Sequence, residues 1–187
     1  MQRLKDMLCR KSLQFGEFTL VSGEKSTFYV DSKLTTYSAE AMPLIGSAFL
    51  AKMIERGWMP DAVGGLTLGA DPIAFAIARE SAGTEHPIDA FVVRKAAKDH
   101  GTQKFIEGIA APAGRRVVIL DDVCTKGGST AQAVERALEA GMEILGAICL
   151  VDREQGAAGM LRERFGISLD RVFTIQELLT RKKELGA

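Results

Sequence analysis

The stretch of sequence that decides the fold is RVVILDDVCTKGGST, residues 116–130. Its apolar run, residues 117–120, is short and rich in β-branched residues, which is typical of a strand buried on both faces of a parallel sheet. Asp121 and Asp122 follow where we expect this strand to end. A polar, glycine-rich loop comes next, and residues 131–140 are predicted to form a helix. This order predicts one strand-to-helix crossing of an α/β protein.

The loop between this strand and the helix has the chemistry of a sugar-phosphate site. Gly127 and Gly128 allow backbone N–H groups to approach a ligand, and the N–H groups of a first helical turn suit a phosphate. Asp121 and Asp122 would repel a phosphate, but they can accept hydrogen bonds from vicinal hydroxyls or lie near a hydrated Mg²⁺. A phosphorylated ribose is the simplest ligand with both parts. The alternative is an ordinary α/β turn with solvated acids, and the loop has neither P-loop nor dinucleotide-binding spacing.

The composition indicates a single soluble domain that covers residues 1–187. Hydrophobic residues make up 47% of the chain and charged residues 26%, as in ordinary globular proteins. The formal net charge is zero, which argues against a nucleic-acid-binding or membrane-binding surface. Cys9, Cys124 and Cys149 have neither metal-ligand nor paired spacing, which suits a reducing compartment. Because no segment resembles a signal peptide or a membrane span, we expect a cytoplasmic protein.

Strands and helices alternate along the rest of the chain. Residues 3–12 are predicted to form a helix and residues 15–31 a β-hairpin, so that about residues 1–35 contribute a small N-terminal hood over the main sheet. A long helix should begin at an N-cap Ser38 and end at a C-cap Gly57. The other expected elements are strands at residues 90–93, 144–151 and 172–175 and helices at residues 157–165 and 176–184. The pattern predicts an α/β fold with a central, mostly parallel sheet flanked by helices.

Residues 62–72 form a second glycine-rich crossing from a strand into a helix. Pro72 is well placed in a first helical turn, and Gly64, Gly65 and Gly69 permit close backbone approach. This segment is consistent with a second anion-binding loop and equally with a tight turn that needs glycine.

Residues 94–104 are strongly cationic and nearly devoid of apolar side chains. A solvated charge run is the usual interpretation of such a segment. Here, however, the cations follow a predicted parallel strand, at the sheet edge where open α/β sheets bind ligands. We therefore expect a surface loop that closes over an anionic ligand, with cationic side chains from Arg94, Lys95, Lys98, His100 and Lys104.

These motifs resemble those of a known family. At residues 116–130 the chain resembles the phosphoribosyltransferases, whose signature is an apolar strand, two acids and a loop of Thr, Gly and Ser. Residues 91–102 resemble the flexible catalytic loop of orotate phosphoribosyltransferases, and residues 18–29 resemble their N-terminal hood. Residues 64–74 are similar to their pyrophosphate loop, and residues 151–153 to their pyrimidine-recognition strand end.

The resemblance implies a type I phosphoribosyltransferase fold, a function and a set of site residues. The implied reaction moves ribose 5-phosphate from phosphoribosyl pyrophosphate (PRPP) to orotate, in UMP synthesis, with Mg²⁺ held mainly by PRPP instead of protein ligands. It also implies a homodimer with shared active sites. The implied catalytic residues are Lys98, His100, Asp121 and Asp122. The implied PRPP-binding residues are these four together with Arg94, Lys95, Val123, Cys124, Thr125, Lys126, Gly127, Gly128 and Ser129. The implied orotate-binding residues are Tyr29, Thr125 and Arg153.

The chain departs from common patterns of this family in three places. Val21 stands where some members carry a Lys in the hood, and Lys126 occupies a loop position that is often small. Leu68 and Gly69 replace a Tyr-Lys pair in the pyrophosphate loop, so that the cations expected there depend more on residues 94–104.

Three other functions remain as alternatives. A phosphoribosyltransferase for another base is the nearest, although the cationic loop argues against it. A regulator of the same fold that senses PRPP and binds nucleic acid should carry a broad basic surface, which a neutral chain lacks. An unrelated sugar-phosphate binder would leave the hood and the cationic loop unexplained.

Overall fold

The computed structural model describes residues 1–19, 25–96 and 105–186. A hairpin of two antiparallel strands, β1 (Leu13–Thr19) and β2 (Lys25–Val30), lies apart from a central six-stranded sheet. The sheet has the order β5-β4-β3-β6-β7-β8, and only β5 runs antiparallel to its neighbour among these described strands. Its strands are β3 (Ala62–Leu66), β4 (Asp89–Val93), β5 (Ile106–Glu107), β6 (Arg116–Cys124), β7 (Glu143–Asp152) and β8 (Leu169–Thr174).

Helices cover both faces of this sheet. They are α1 (Gln2–Met7), which continues as a π-helical segment (Leu8–Ser12), α2 (Lys33–Thr36), α3 (Met42–Glu55), α4 (Asp71–Ser81), α5 (Gly128–Glu139), α6 (Ala157–Phe165) and α7 (Ile175–Glu184). Val118 and Leu120 of β6 join a core with residues of α1, α3, α4 and α7, whereas Val117 and Ile119 join a core with α5 and α6. This alternation is what a strand buried on both faces requires. The predicted α/β fold is confirmed.

The close approach of the neighbouring strands β4 and β6 explains why β3 contains two glycines. All five residues of β3 are buried. A Cβ atom added at Gly64 would overlap the carbonyl oxygen of Phe91 in β4, and one added at Gly65 would overlap that of Leu120 in β6. Both glycines therefore serve strand packing, and of the three glycines in this segment only Gly69 belongs to the loop.

The order of the strands creates a crevice at one edge of the sheet. The chain leaves β3 for β4 on one side and leaves β6 for β7 on the other side. Ligands of open α/β sheets bind outside the carboxyl ends of the strands at such a reversal of strand order. The carboxyl ends of β3 and β6 lead into residues 67–70 and 125–127, which are therefore placed at the expected ligand site.

The N-terminal segment is attached to the sheet domain at several points. Leu4 and Met7 of α1 are buried in the first core, and Arg181 of α7 donates a hydrogen bond of 2.7 Å to Asp6. At the other end of the hood, Ser12 and Thr35 share a hydrogen bond of 2.7 Å between their hydroxyls. This bond holds α2 against the start of the hairpin.

Helix boundaries differ from the sequence prediction around residues 33–57. Ser38 is not the N-cap of α3, because α3 begins at Met42 after Ala41 and has no side-chain cap. A short helix, α2, precedes it and was not predicted, since its four residues are too few to show a periodic pattern. The predicted end of α3 is confirmed, because Gly57 has φ +66° and adopts the left-handed conformation that ends the helix.

The central motif also has longer elements than predicted. Strand β6 continues past the apolar run to Cys124, paired in parallel with β7 as far as Asp152. Helix α5 begins at Gly128, three residues before the predicted start. Within the part of the chain that the structure describes, no helix has the length and apolar character needed to cross a membrane.

Candidate active site

A cavity of about 250 Å³ lies at the carboxyl ends of β3 and β6. It therefore occupies the crevice that the strand order creates. Its lining combines acidic, cationic and hydroxyl groups: Lys33, Leu66, Thr67, Leu68, Gly69, Lys95, Asp121, Asp122 and Ser129.

Asp121 lies inside the fold and not merely at a strand end. Its side chain accepts a hydrogen bond of 2.6 Å from the hydroxyl of Thr130 in α5 and one of 3.0 Å from the backbone N–H of Asp122. Burial, followed by the neighbouring charge of Asp122, raises the pKa of Asp121 to about 7. The hydroxyl of Thr130 thus connects the acidic pair to the first turn of α5.

Asp122 is half-buried and faces the other side of the cavity. Its carboxylate accepts hydrogen bonds from the hydroxyl of Ser32 and, at 2.9 Å, from the backbone N–H of Val123. Gly69 packs against the same carboxylate so closely that an added Cβ would overlap Oδ1. The two acids therefore separate the cavity into an α5 side, next to Asp121, and a side formed by α2 and the loop after β3, next to Asp122.

The start of α5 has the form of an anion-binding site. Gly127 precedes the helix with φ +83°, a left-handed conformation that favours glycine, and an added Cβ would lie 2.6 Å from Cε of Met160. Gly127 provides no side-chain cap, and Gly128 and Ser129 in the first turn are exposed. The N–H groups of a first helical turn have no intrahelical partner and attract anions, aided by the helix dipole.

The other residues of the predicted phosphate loop differ in exposure. Thr125 is half-buried and Lys126 is exposed. Cys124 is buried, with its Sγ 3.4 Å from the hydroxyl of Thr130, and Val123 packs against the first core. The side chains of Val123 and Cys124 therefore belong to the protein interior, because both residues are still part of β6.

Two cationic side chains line the cavity within the described residues, Lys33 and Lys95. The Nζ of Lys33 lies 2.7 Å from Oδ1 of Asp31, and this bond is the main cause of a raised Lys33 pKa. Arg94 is directed to β5, where its guanidinium lies 3.5 Å from Glu107. The predicted loop residues Lys98 and His100 lie outside the described residues.

Arg153 connects the end of β7 to the hood. It is buried, its backbone N–H donates 2.8 Å to the carbonyl of Cys124, and its guanidinium lies 4.9 Å from the ring centre of Phe28. Tyr29, the predicted orotate-binding residue of the hairpin, is exposed and packs with Phe18 at 5.5 Å between ring centres. Because successive strand residues point to opposite faces, the structure brings Phe28 to Arg153 and places Tyr29 on the other face of β2.

Three residues of the site were missed from the sequence. Ser32 and Lys33 follow the hairpin after one intervening residue, and Phe28 precedes Tyr29 in β2. The alternation could have indicated that only one of the two aromatic residues faces the sheet. No local signal distinguishes Ser32 and Lys33 from other polar residues, because their importance comes from contacts with distant segments.

The acidic pair fits a Mg²⁺ ion that is bound largely by the ligand. Within residues 1–19, 25–96 and 105–186, no group of three or more His, Cys, Asp or Glu is arranged to hold a metal ion. The carboxylates of Asp121 and Asp122 nevertheless offer the hard oxygen donors that Mg²⁺ prefers, and both line the cavity. Mg²⁺ commonly keeps waters and phosphate oxygens as its other ligands.

The fold and the cavity suit an α/β protein that binds a sugar phosphate. A family model described as phosphoribosyl transferase domain matches residues 37–164. An orotate phosphoribosyltransferase of Nostoc sp. is 41% identical over 99% of this chain and 88% of the relative, and one of Aquifex aeolicus is 44% identical over 95% and 97%. A crystal structure of the Mycobacterium tuberculosis orotate phosphoribosyltransferase in complex with PRPP matches with a TM-score of 0.77 and 36% identity, covering 94% of this chain and 96% of that one. The chain belongs to the phosphoribosyltransferase family, among the orotate phosphoribosyltransferases, and the resemblance seen in the sequence is confirmed.

Proposed function

We propose that the protein transfers the ribose 5-phosphate group of PRPP to orotate, giving orotidine 5′-phosphate and pyrophosphate, a step of UMP synthesis. The observation that carries this proposal is the acidic pair at the switch point of the sheet, with the start of α5 on one side and two lysines in the same cavity. The family membership supports the same reaction.

The two sides of the cavity suit the two ends of PRPP. The backbone N–H groups at the start of α5, with Thr125, Lys126 and Ser129, bind the 5′-phosphate. Asp121 and Asp122 accept hydrogen bonds from the ribose hydroxyls, which would be held between the two sides. The pyrophosphate then lies next to Lys95, together with the loop residues Arg94, Lys98 and His100.

The reaction breaks the bond between C1 of ribose and the pyrophosphate oxygen and forms a bond from C1 to N1 of orotate, and N1 gives up its proton to the departing pyrophosphate. Negative charge grows on the leaving pyrophosphate, where Lys95 and Lys98 stabilise it. Positive charge grows on the ribose ring, close to the acidic pair. When bound, Mg²⁺ supplies further neutralisation of the pyrophosphate. The hood and the cationic loop exclude water from the reacting carbon.

We assign the orotate site to the neighbourhood of Arg153, at the end of β7 and next to the hood. A guanidinium donates hydrogen bonds in a planar arrangement that matches a carboxylate, and orotate carries one. Phe28 lies against the Arg153 guanidinium and orients it. Thr125 follows the last residue of β6 and supplies a hydroxyl, while Tyr29 is exposed on the outer face of the hairpin.

We also propose a homodimer with shared sites. Four large apolar side chains are exposed on α2, on the residues next to it, on the loop after β3 and on α4: Leu34, Tyr37, Leu68 and Phe75. The hydroxyl of Tyr37 lies 3.4 Å from the carbonyl oxygen of Leu68, which itself lines the cavity. A self-complementary contact through this surface would bury these side chains and bring a second subunit to the cavity.

We infer further that residues 1–187 act as one domain in the cytoplasm, with no nucleic acid or membrane as a partner. The neutral charge and the ordinary composition support this.

A spectrophotometric assay tests the proposed function. We expect orotate to be consumed only when both PRPP and Mg²⁺ are present, with no competition from adenine, hypoxanthine or uracil. Consumption of one of these other bases in place of orotate would contradict the assignment of the acceptor.

A further inference from the structure

The geometry points to Lys33, the first residue of α2, as a binding residue for the pyrophosphate of the donor substrate. This inference rests on the proposed function and names a residue that neither the central motif nor the cationic loop contains. It depends on where α2 is held, on what the loop after β3 can accommodate and on the charges around Lys33.

The position of Lys33 is determined by contacts on both sides of it. Ser32 donates its hydroxyl to the carboxylate of Asp122, and Thr35 is bonded to Ser12 at 2.7 Å. Ser32 and Thr35 are buried, so α2 is held firmly against the acidic pair. The side chain of Lys33 extends from this fixed backbone into the lining of the cavity.

The loop after β3 leaves a place for this cation. Leu68 and Gly69 stand where some family members carry Tyr and Lys, and a side chain at Gly69 would overlap the carboxylate of Asp122. A side chain at position 69 would therefore require the carboxylate of Asp122, which Ser32 holds, to move. Lys33 lines the same cavity as Leu68 and Gly69 and supplies a positive charge from a different element.

The position relative to the acidic pair decides which part of the substrate Lys33 contacts. Asp121 is bonded to Thr130 of α5, so the 5′-phosphate site lies on its side. Asp122 is bonded to Ser32 on the opposite side. An extended substrate with its ribose at the two acids and its 5′-phosphate at α5 therefore places its pyrophosphate beside Lys33.

The charge of Lys33 is available for this role. Its side chain is 45% exposed, and its Nζ is bonded to Asp31 at 2.7 Å. A lysine ammonium has three N–H donors, so it can keep the bond to Asp31 and donate to a pyrophosphate oxygen as well. The alternative is that Lys33 only stabilises the hood through its ion pair with Asp31.

Two variants separate these roles, with binding of inorganic pyrophosphate and of PRPP measured by calorimetry in the presence of Mg²⁺. We expect Lys33→Ala to weaken both about tenfold or more, the range of one charge-assisted hydrogen bond. Binding of ribose 5-phosphate should change less than about twofold, because that ligand lacks the pyrophosphate. Asp31→Asn breaks the same ion pair and should leave pyrophosphate binding unchanged or tighter.

Matched controls complete the experiment. Lys33→Arg keeps the charge and should retain most of the affinity, whereas Lys52→Ala removes a lysine that pairs with Glu55 on α3 and should have no effect. Equal losses in Lys33→Ala and Asp31→Asn, or unchanged pyrophosphate binding in Lys33→Ala, would overturn the inference. A wild-type protein without pyrophosphate affinity would also overturn it. Failure of the wild type to consume orotate, with Lys33-dependent pyrophosphate binding intact, would contradict only the proposed function.

Discussion

Asp121 makes the stability of the unliganded protein depend on pH. Burial raises its pKa from 3.8 to about 7, so between these values the folded state keeps a proton that the unfolded chain has lost. This group therefore makes the free energy of unfolding fall as pH rises from about 4 to about 7, and its effect is constant above that range. We expect Asp121→Asn to flatten this dependence, measured by urea denaturation at intervals across the range.

A distant carboxylate serves as the control for this prediction. Asp89 is exposed at the start of β4, so Asp89→Asn should retain the wild-type slope. The amide oxygen of an asparagine at position 121 can accept from the backbone N–H of Asp122, and its NH2 group can donate to the hydroxyl of Thr130, so that its fold should be preserved. An Asp121→Asn protein with the wild-type pH dependence would show that another group causes it.

Arg153 should affect the acceptor substrate more than the donor. We expect Arg153→Ala to raise KM for orotate roughly ten- to hundredfold, the range of a charge-assisted hydrogen bond, with a much smaller rise for PRPP. Steady-state kinetics with each substrate varied in turn measures the difference. Phe28→Leu keeps the guanidinium but removes the ring beneath it, and should raise KM for orotate less. Equal rises for orotate and PRPP in Arg153→Ala would indicate a structural arginine.

At the scale of single elements, β3 requires small residues between its neighbours. We expect Gly65→Ala to destabilise the protein by about 1–3 kcal/mol, because the added methyl group overlaps the Leu120 carbonyl and lies 2.8 Å from Cβ of Ala70. Gly159→Ala in α6 meets no atom within 4 Å and should instead stabilise the protein by about 0.5–1 kcal/mol. Urea denaturation of the two variants provides the comparison. Wild-type stability in Gly65→Ala would mean that β3 and β6 can separate at little cost.

At the scale of the whole molecule, shared active sites predict complementation between inactive variants. Lys98→Ala and Asp122→Asn should each be inactive, but a hybrid dimer has one site with both lesions and one site with neither. Random exchange in a 1:1 mixture makes about half of the dimers hybrids, so about a quarter of all sites should recover activity. The measurement is the activity after the two variants are unfolded, mixed and refolded together.

The controls for complementation are each variant refolded alone and a direct count of hybrid dimers. Differently tagged subunits allow hybrids to be isolated and assayed. Isolated hybrids without activity above these controls would place the cationic loop in the site of its own subunit.

Local sequence patterns were sufficient for most of the architecture. Residues 157–165 were predicted as a helix and α6 has these bounds, because helical periodicity and a following glycine are properties of the segment itself. The apolar run at residues 117–120 indicated a strand buried on both faces for the same reason. The predicted end of β6 was too early. A buried strand can continue through two acidic residues only where other groups donate hydrogen bonds to their carboxylates. Those partners, Thr130 and Ser32, are not visible in the local pattern.

The sequence by itself determined the class of fold and the motif of an acidic pair followed by a glycine-rich loop, because both are written in residues that are neighbours along the chain. Only the tertiary structure brought Ser32 to Asp122, 90 positions apart, and Phe28 to the guanidinium of Arg153. It also showed that Asp121 is buried and that a side chain at position 69 would displace the carboxylate of Asp122. Such contacts depend on how the hood and the sheet pack together. Packing is a property of many distant residues at once, and no short segment encodes it.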